Sequence, residues 1–187
     1  MPWFTEVSDE IAFAHLAELM ERTVEEARSR ICRRPKRVLL LPPDITRAHS
    51  GAGPLTEILY HHFAQEAEVH LIPTLGQHVP HTEEENRRMF GQVPLERIHP
   101  HDWRGGVKYV GEVPADYVRE KTHGAADWAF PVWLNRMLMD QPWDLIIHIG
   151  HVVPHEVLGF ANHNKNYFIG LAGKELICAS HMAAACC

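Results

Sequence analysis

The chain has few of the features that mark a disulfide-stapled, nucleic-acid-binding or membrane protein. Its four cysteines, Cys32, Cys178, Cys186 and Cys187, have neither zinc-knuckle nor redox spacing, so we expect reduced thiols in a cytoplasmic protein. Basic residues (18) are fewer than acidic ones (24), which gives a net charge of −6 and predicts no nucleic-acid partner. Apolar runs are far shorter than the roughly 20 residues that span a bilayer, and no signal peptide is recognisable. We therefore expect a soluble protein without a membrane partner.

Compact catalytic motifs and repeats are also missing. The sequence has no Walker-type or dinucleotide-binding glycine pattern and no His-Glu-x-x-His zinc motif. Histidine, in contrast, is abundant, at 15 of 187 residues. Because imidazole titrates near neutral pH and binds metals, this enrichment favours a catalytic or metal site without indicating which histidines form it.

Hydrophobic patterning predicts an α/β fold with an open, mostly parallel, Rossmann-like sheet and flanking helices. Continuous apolar segments, typical of buried parallel strands, lie at residues 38–41, 69–72 and 145–149. A helix is predicted from a cap at Ser8 to about Ile31, and a second one opens with Pro54 at its first position. Strand, helix and strand then form a βαβ unit.

The remaining elements are predicted from local signals. Thr82 and Glu85 form a capping box for a short helix that ends at Gly91. Residues 92–128 predict short strands and loops, and residues 133–138 fit a strand or a helical turn. Residues 177–187 resemble the opening of a helix without a stop signal. We expect residues 1–187 to form a single α/β domain, the N-terminal, cofactor-binding part of a longer, two-domain protein.

Polar side chains follow each predicted strand, in loop 1 (residues 43–53), loop 2 (residues 74–81) and loop 3 (residues 150–165). Ligands of open α/β sheets bind beyond the carboxyl ends of the strands, where these loops should meet. In loop 1 the guanidinium of Arg47 suits a carboxylate or phosphate, and Asp44 can orient a polar neighbour. An ion pair between Asp44 and Arg47 that merely closes the loop fits the sequence equally well.

Histidines are the reactive residues of the other two loops. Gly76 permits a sharp turn that would present His78 as an acid or base, although a lone histidine more often only caps or solvates a turn. Loop 3 places His151, His155 and His163 near Lys165, with little hydrophobic periodicity. This concentration of imidazoles, amides and a lysine favours a functional segment.

Three motifs in order resemble those of the lactate racemase-like family, the nickel-pincer nucleotide-dependent racemases and epimerases of 2-hydroxy acids. They stand here as Asp44-Ile45-Thr46-Arg47, then Gly76-Gln77-His78-Val79-Pro80-His81-Thr82-Glu83-Glu84-Glu85, then Pro154-His155, Gly159-Phe160, Lys165, Gly170, Gly173 and His181. The spacings of the third motif match as well, with ten residues from His155 to Lys165 and sixteen from Lys165 to His181.

The resemblance implies a cofactor and its attachment. Lys165 would carry the nickel-pincer nucleotide through a thioamide, with Thr46 as a second cofactor-binding residue. His181 would be the protein ligand of nickel, a metal that imidazole nitrogen suits. Cofactor-synthesis proteins would be partners of the chain.

The resemblance also implies a reaction, racemisation or epimerisation of a 2-hydroxy acid that is lactate-like or a sugar acid. His78 and His155 would be the acid/base pair, while hydride moves reversibly between the substrate carbon and the cofactor. Arg47 would hold the substrate carboxylate, and Asp44 would support this arrangement.

Two departures from the family pattern lie next to the cofactor segment. Asn162-His163-Asn164 stands where the family often has glycines before the lysine, and Ile169 replaces an expected proline. These bulkier residues bear on the identity of the substrate more than on the cofactor.

Two other kinds of function fit parts of the sequence. A zinc-dependent hydrolase could use some of four histidines: His78, His151, His155 and His181. It would leave Lys165 unexplained. A non-catalytic truncated domain is a further alternative, and Cys178 or Cys186 as a nucleophile is the least favoured because neither follows a strand.

Overall fold

The structure, a computed structural model, describes residues 4–8, 10–155, 157 and 159–187. Its α-helices are α1 (Phe13–Ile31), α2 (Ala52–Ala64), α3 (Glu83–Phe90), α4 (Ala115–Lys121), α5 (Arg136–Asp140) and α6 (Lys174–Cys186). Its strands are β1 (Arg37–Leu41), β2 (Glu68–Leu71), β3 (Val107–Val113), β4 (Phe130–Asn135), β5 (Leu145–His148), β6 (Pro154–His155) and β7 (Gly159–Phe160). Shorter helical segments are the 3-10 helices Ile45–Ser50 and Leu95–Arg97 and the π-helix Asn166–Gly170.

A parallel sheet of order β2-β1-β5 lies at the centre of the fold. Alternate residues of β1 face opposite sides: Leu40 packs into a cluster with α1, α2 and α3, and Leu39 packs against Leu138 and Leu171. Each fully buried leucine stabilises the fold by about 1.5–3 kcal/mol. The predicted α/β class with a parallel sheet and flanking helices is confirmed.

An antiparallel pair, β3 and β4, carries the second part of the core. Gly173 donates its N–H to the Trp133 carbonyl at 2.8 Å, which seats the start of α6 against β4. Buried His101 strengthens this junction, because its Nε2 donates to the Ala172 carbonyl and its Nδ1 accepts from Asn135, each at 3.0 Å. The helix that carries His181 is thereby fixed to the body of the domain.

Several predicted boundaries were wrong for local reasons. Ser8 does not cap the first helix, which begins at Phe13. The Ser8 hydroxyl instead donates to the Glu10 carbonyl at 2.8 Å. Pro54 is not the first residue of α2, because Gly51 takes a left-handed conformation (φ 72°) and starts the helix two residues earlier. The Thr82–Glu85 capping box and the helix end at Gly91 are confirmed.

The middle and end of the chain are more regular than predicted. Residues 92–128 contain α4 as well as a strand. Residues 133–138 contain both the strand and the helical turn that were predicted as alternatives, since β4 ends at Asn135 and the Asn135 side chain caps α5. The C-terminal helix begins at Lys174, before the predicted position. No helix in the described ranges is both long and apolar enough to cross a bilayer.

Strand β5, at one edge of the sheet, was expected to be buried, but all four of its residues are only partly buried. Its last residue, His148, packs edge-on against Tyr167, with ring centroids 4.3 Å apart. Burial of the imidazole lowers the pKa of His148 to about 4, and nearby His163 adds a smaller contribution.

This depressed pKa predicts a loss of stability in acid. As the pH falls from 6.5 towards 4, the unfolded chain binds a proton that folded His148 does not, so the free energy of unfolding decreases. Above pH 6.5 neither state binds this proton, and the loss is absent. Because the ring is only partly buried and solvent screens its charge, the loss stays below about 3 kcal/mol. Urea unfolding between pH 7 and 4 should therefore show a steeper decline in the wild type than in His148→Gln, which cannot titrate at this position. Parallel declines would contradict the assignment.

Candidate active site

A cavity of about 600 Å³ lies where loops 1, 2 and 3 converge beyond the parallel sheet. Its lining includes every predicted site residue except Thr46: Asp44, Arg47, His78, His155, Lys165 and His181. These residues are scattered over most of the sequence, and the common end of β1, β2 and β5 brings their loops together. The volume is in the range of small-molecule and cofactor sites.

Asp44 and His78 form a hydrogen-bonded dyad across loops 1 and 2. The Asp44 side chain is 7% exposed and its Oδ2 accepts from Nδ1 of His78, whose side chain is 58% exposed. A carboxylate can only accept, so Nδ1 carries the proton and Nε2 keeps its lone pair. An imidazole held in this way presents the lone pair of Nε2 to the cavity while Nδ1 stays bound to the carboxylate.

The rest of the Asp44 carboxylate is bound within its own loop. Its Oδ1 accepts from the backbone N–H of Thr46 at 2.8 Å and from the Thr46 hydroxyl. The ion pair with Arg47 that the sequence left open is not formed. Arg47 is exposed at the cavity, where its guanidinium is available to an anion.

His155 presents the opposite tautomer to that of His78. The backbone N–H of Val157 donates to His155 Nδ1 at 3.2 Å, so the neutral ring carries its proton on Nε2. Both residues line the cavity, one as an acceptor and the other as a donor through Nε2. A hydroxyl group bound between them could donate to Nε2 of His78 and accept from Nε2 of His155.

An unusual backbone turn precedes Lys165. Asn162 and His163 both adopt positive φ (63° and 49°), a conformation that asparagine tolerates better than most residues. Asn162 fixes the turn through its side chain, because its Nδ2 donates to the Gly150 carbonyl at 3.1 Å and its Oδ1 accepts from Asn166 at 2.7 Å. Asn162 therefore holds the turn before Lys165 in place.

Loop 2 packs directly on the segment that follows this lysine. The Gly76 N–H donates to the Gly170 carbonyl at 2.9 Å, with Gly76 in a left-handed conformation (φ 58°). A Cβ on Gly170 would lie 2.6 Å from Thr74 Cβ, so only glycine permits this approach. The contact couples the turn that carries His78 to the turn that carries Lys165.

His181 faces the cavity from α6 with one nitrogen already occupied. Its Nδ1 lies 2.7 Å from the Ile177 carbonyl, and because a carbonyl can only accept, Nδ1 carries the proton. The lone pair of Nε2 is then available to a metal ion, and a hydrogen bond from the other nitrogen orients such a ligand.

Sequence analysis missed one histidine and gave another a different role. His49 and His151, from loops 1 and 3, both line the cavity with ring centroids 6.2 Å apart. His49 lies in a loop already singled out, whereas His151 was counted among the loop 3 histidines and given a specific role only as a possible zinc ligand. All four histidines of the zinc alternative line the cavity, but across the described ranges no three His, Cys, Asp or Glu side chains are grouped closely enough to hold a metal ion.

Comparisons with known proteins agree with this architecture. A family model described as the lactate racemase N-terminal domain matches residues 7–186. The chain is similar to a protein from Thermotoga maritima, at 28% identity and a TM-score of 0.81, with 95% of this chain and 42% of that one covered.

It is also similar in fold to the lactate racemase apoprotein from Thermoanaerobacterium thermosaccharolyticum, at 19% identity and a TM-score of 0.63, with 87% of this chain and 38% of that one covered. The chain thus spans less than half the length of either structure. A sequence comparison with curated proteins gave no match.

Proposed function

The chain belongs to the lactate racemase N-terminal domain family, and on that basis we propose that it is an isomerase that racemises or epimerises a 2-hydroxy acid, lactate-like or a sugar acid. The observation that carries the proposal is the convergence of Asp44, His78, His155, Lys165 and His181 on one cavity. Because the chain spans less than half of two similar structures, we propose that it is the N-terminal, cofactor-binding domain of a two-domain enzyme.

The residues around the cavity fit a nickel-pincer nucleotide. His181 offers a neutral Nε2, the nitrogen donor that nickel accepts, and Lys165 offers an amine for covalent attachment. One protein ligand would suffice, because the nucleotide would supply the other donors to nickel. When bound, the cofactor would supply a reversible hydride acceptor. Its attachment through Lys165 would require cofactor-synthesis proteins as partners.

Arg47 is proposed to bind the substrate carboxylate. Its exposed guanidinium is not neutralised by Asp44, so it is the fixed positive charge that loop 1 presents to the cavity. A bidentate contact with a carboxylate would fix the reacting carbon and its hydroxyl group. Thr46 contacts Asp44 and lies outside the cavity lining, so its proposed role in cofactor binding is indirect.

His78 and His155 are proposed to move the hydroxyl proton. For one enantiomer, Nε2 of His78 takes this proton, and the Asp44 carboxylate stabilises the resulting imidazolium. For the other enantiomer, His155 would take this proton after its own ring proton has moved from Nε2 to Nδ1, which breaks the contact with the Val157 N–H. Proton removal from oxygen avoids the dianion that abstraction from the carbon next to a carboxylate would create.

Racemisation in deuterium oxide tests this function. The full-length enzyme, carrying its cofactor, should interconvert the enantiomers of a 2-hydroxy acid while the hydrogen on the second carbon is retained, because only the hydroxyl proton exchanges with solvent. NMR of the product measures the deuterium on that carbon. Solvent deuterium there at the rate of interconversion would contradict the proposed chemistry, and failure to interconvert any of a panel of 2-hydroxy acids would contradict the function.

A further inference from the structure

A second contact joins loops 1 and 2 behind the Asp44–His78 dyad. The backbone N–H of Ile45 donates to Nε2 of His81 at 2.8 Å. We propose that His81 is a positioning residue that holds Asp44, and through it His78, in the catalytic arrangement. This inference rests on the proposed function for its effect on catalysis, whereas its geometry stands independently.

The hydrogen bonds of His81 define its tautomer. A backbone N–H can only donate, so Nε2 of His81 must carry a lone pair. The proton of the neutral ring then lies on Nδ1, which donates to Oδ1 of Asn86 at 3.0 Å. The ring also stacks on Phe90, with centroids 6.1 Å apart and an interplanar angle of 27°. Three groups therefore fix the orientation of this imidazole.

The anchor behind His81 is itself rigid. Asn86 and Phe90 both belong to α3, whose first turn is locked by the Thr82–Glu85 capping box. A displacement of His81 would therefore require movement of the capped helix α3. The capping box and His81 together make the start of α3 a fixed support for loop 1.

The Ile45 N–H controls the carboxylate next to it. The peptide group that ends in this N–H begins with the Asp44 carbonyl, so fixing Ile45 N limits rotation about the ψ angle of Asp44 (174°). In this extended conformation the Asp44 side chain reaches Thr46 N and His78 Nδ1 together. Loss of the His81 contact would free the backbone that aims the carboxylate at His78.

His81 acts from outside the cavity. It does not line the 600 Å³ cavity but a separate one of about 90 Å³ behind the loop 2 turn. Direct contact with substrate is therefore not its role, and its effect must pass through Asp44. Residues that orient catalytic or metal-binding groups in this way typically affect activity by about 10- to 100-fold when replaced.

The test combines imidazole NMR with two variants. In the ¹⁵N-labelled full-length protein, long-range ¹H–¹⁵N correlation should show His81 with its proton on Nδ1. His81→Leu should alter the Nδ1 signal of His78 and lower kcat by about 10- to 100-fold with little change in KM. His81→Gln, whose side-chain oxygen can accept from Ile45, should restore both. His61→Leu, at an exposed site on α2, is the matched control and should change neither.

Each result decides the inference. A proton on Nε2 of His81 would overturn it, as would an unchanged His78 signal in folded His81→Leu. If His81→Leu and His81→Gln lost kcat equally, and in proportion to a loss of thermal stability, the role of His81 would be merely structural. That result would also overturn the inference. If the NMR results hold and the wild type does not racemise, the proposed function fails and the positioning contact stands.

Discussion

Lys165→Ala should reduce racemisation to background, because the chain then offers no amine at this position for attachment of the cofactor that carries the difficult chemistry. The loss should exceed that of any single acid/base substitution. Bound nickel should fall with it, since His181 alone would hold the metal through one nitrogen. Activity assays and metal analysis of the purified full-length protein measure the two losses.

Lys174→Ala is the matched control for this variant. Lys174 opens α6, and its exposed side chain lies 3.9 Å from Glu175, outside the cavity lining. Its removal should leave nickel content and racemisation unchanged. Lys165→Ala protein that still racemised the substrate would refute the attachment of the cofactor at this residue.

His78→Ala and His155→Ala should each lower kcat for interconversion by about 10²- to 10⁴-fold, the usual contribution of a general acid or base. In the proposed scheme both enantiomers would need both histidines, one as the base for the outgoing hydroxyl proton and the other as the acid for the returning one. Nickel should remain bound in both variants, because neither residue is proposed as a ligand. Enantiomer-resolved assays, with nickel analysis alongside, separate the two effects.

Asp44→Asn refines the same prediction. An amide in place of the carboxylate can no longer stabilise protonated His78, although a hydrogen bond to Nδ1 remains possible. We expect a loss of kcat comparable to that of His78→Ala, with retained nickel. If His155→Ala alone were inactive while His78→Ala kept the wild-type rate, the two-histidine scheme would be wrong.

The sequence was sufficient for the parts of the fold that local patterns specify. The strands of the central sheet follow from continuous apolar segments, and the start of α3 follows from its capping box. Because ligands gather at the carboxyl ends of parallel strands, the three loops around the cavity were also predictable. These features depend on residues close together in the chain.

Other features depend on contacts between distant residues and were not predictable. Helix α4 has a short apolar face that packs under α6, through Val118 and Ala183. The choice of His78 rather than Arg47 as the partner of Asp44 depends on the meeting of loops 1 and 2. The same holds for the tautomers of the histidines, which the Asp44 carboxylate imposes on His78 and backbone groups impose on His155 and His181.

The mass of the intact protein, produced together with cofactor-synthesis enzymes, tests the central claim most directly. The account predicts a mass increment that peptide mapping locates on Lys165, that is absent from Lys165→Ala and that remains in His181→Ala while nickel is lost. An unmodified wild-type chain under these conditions, or a chain that binds zinc at the cavity instead, would contradict it.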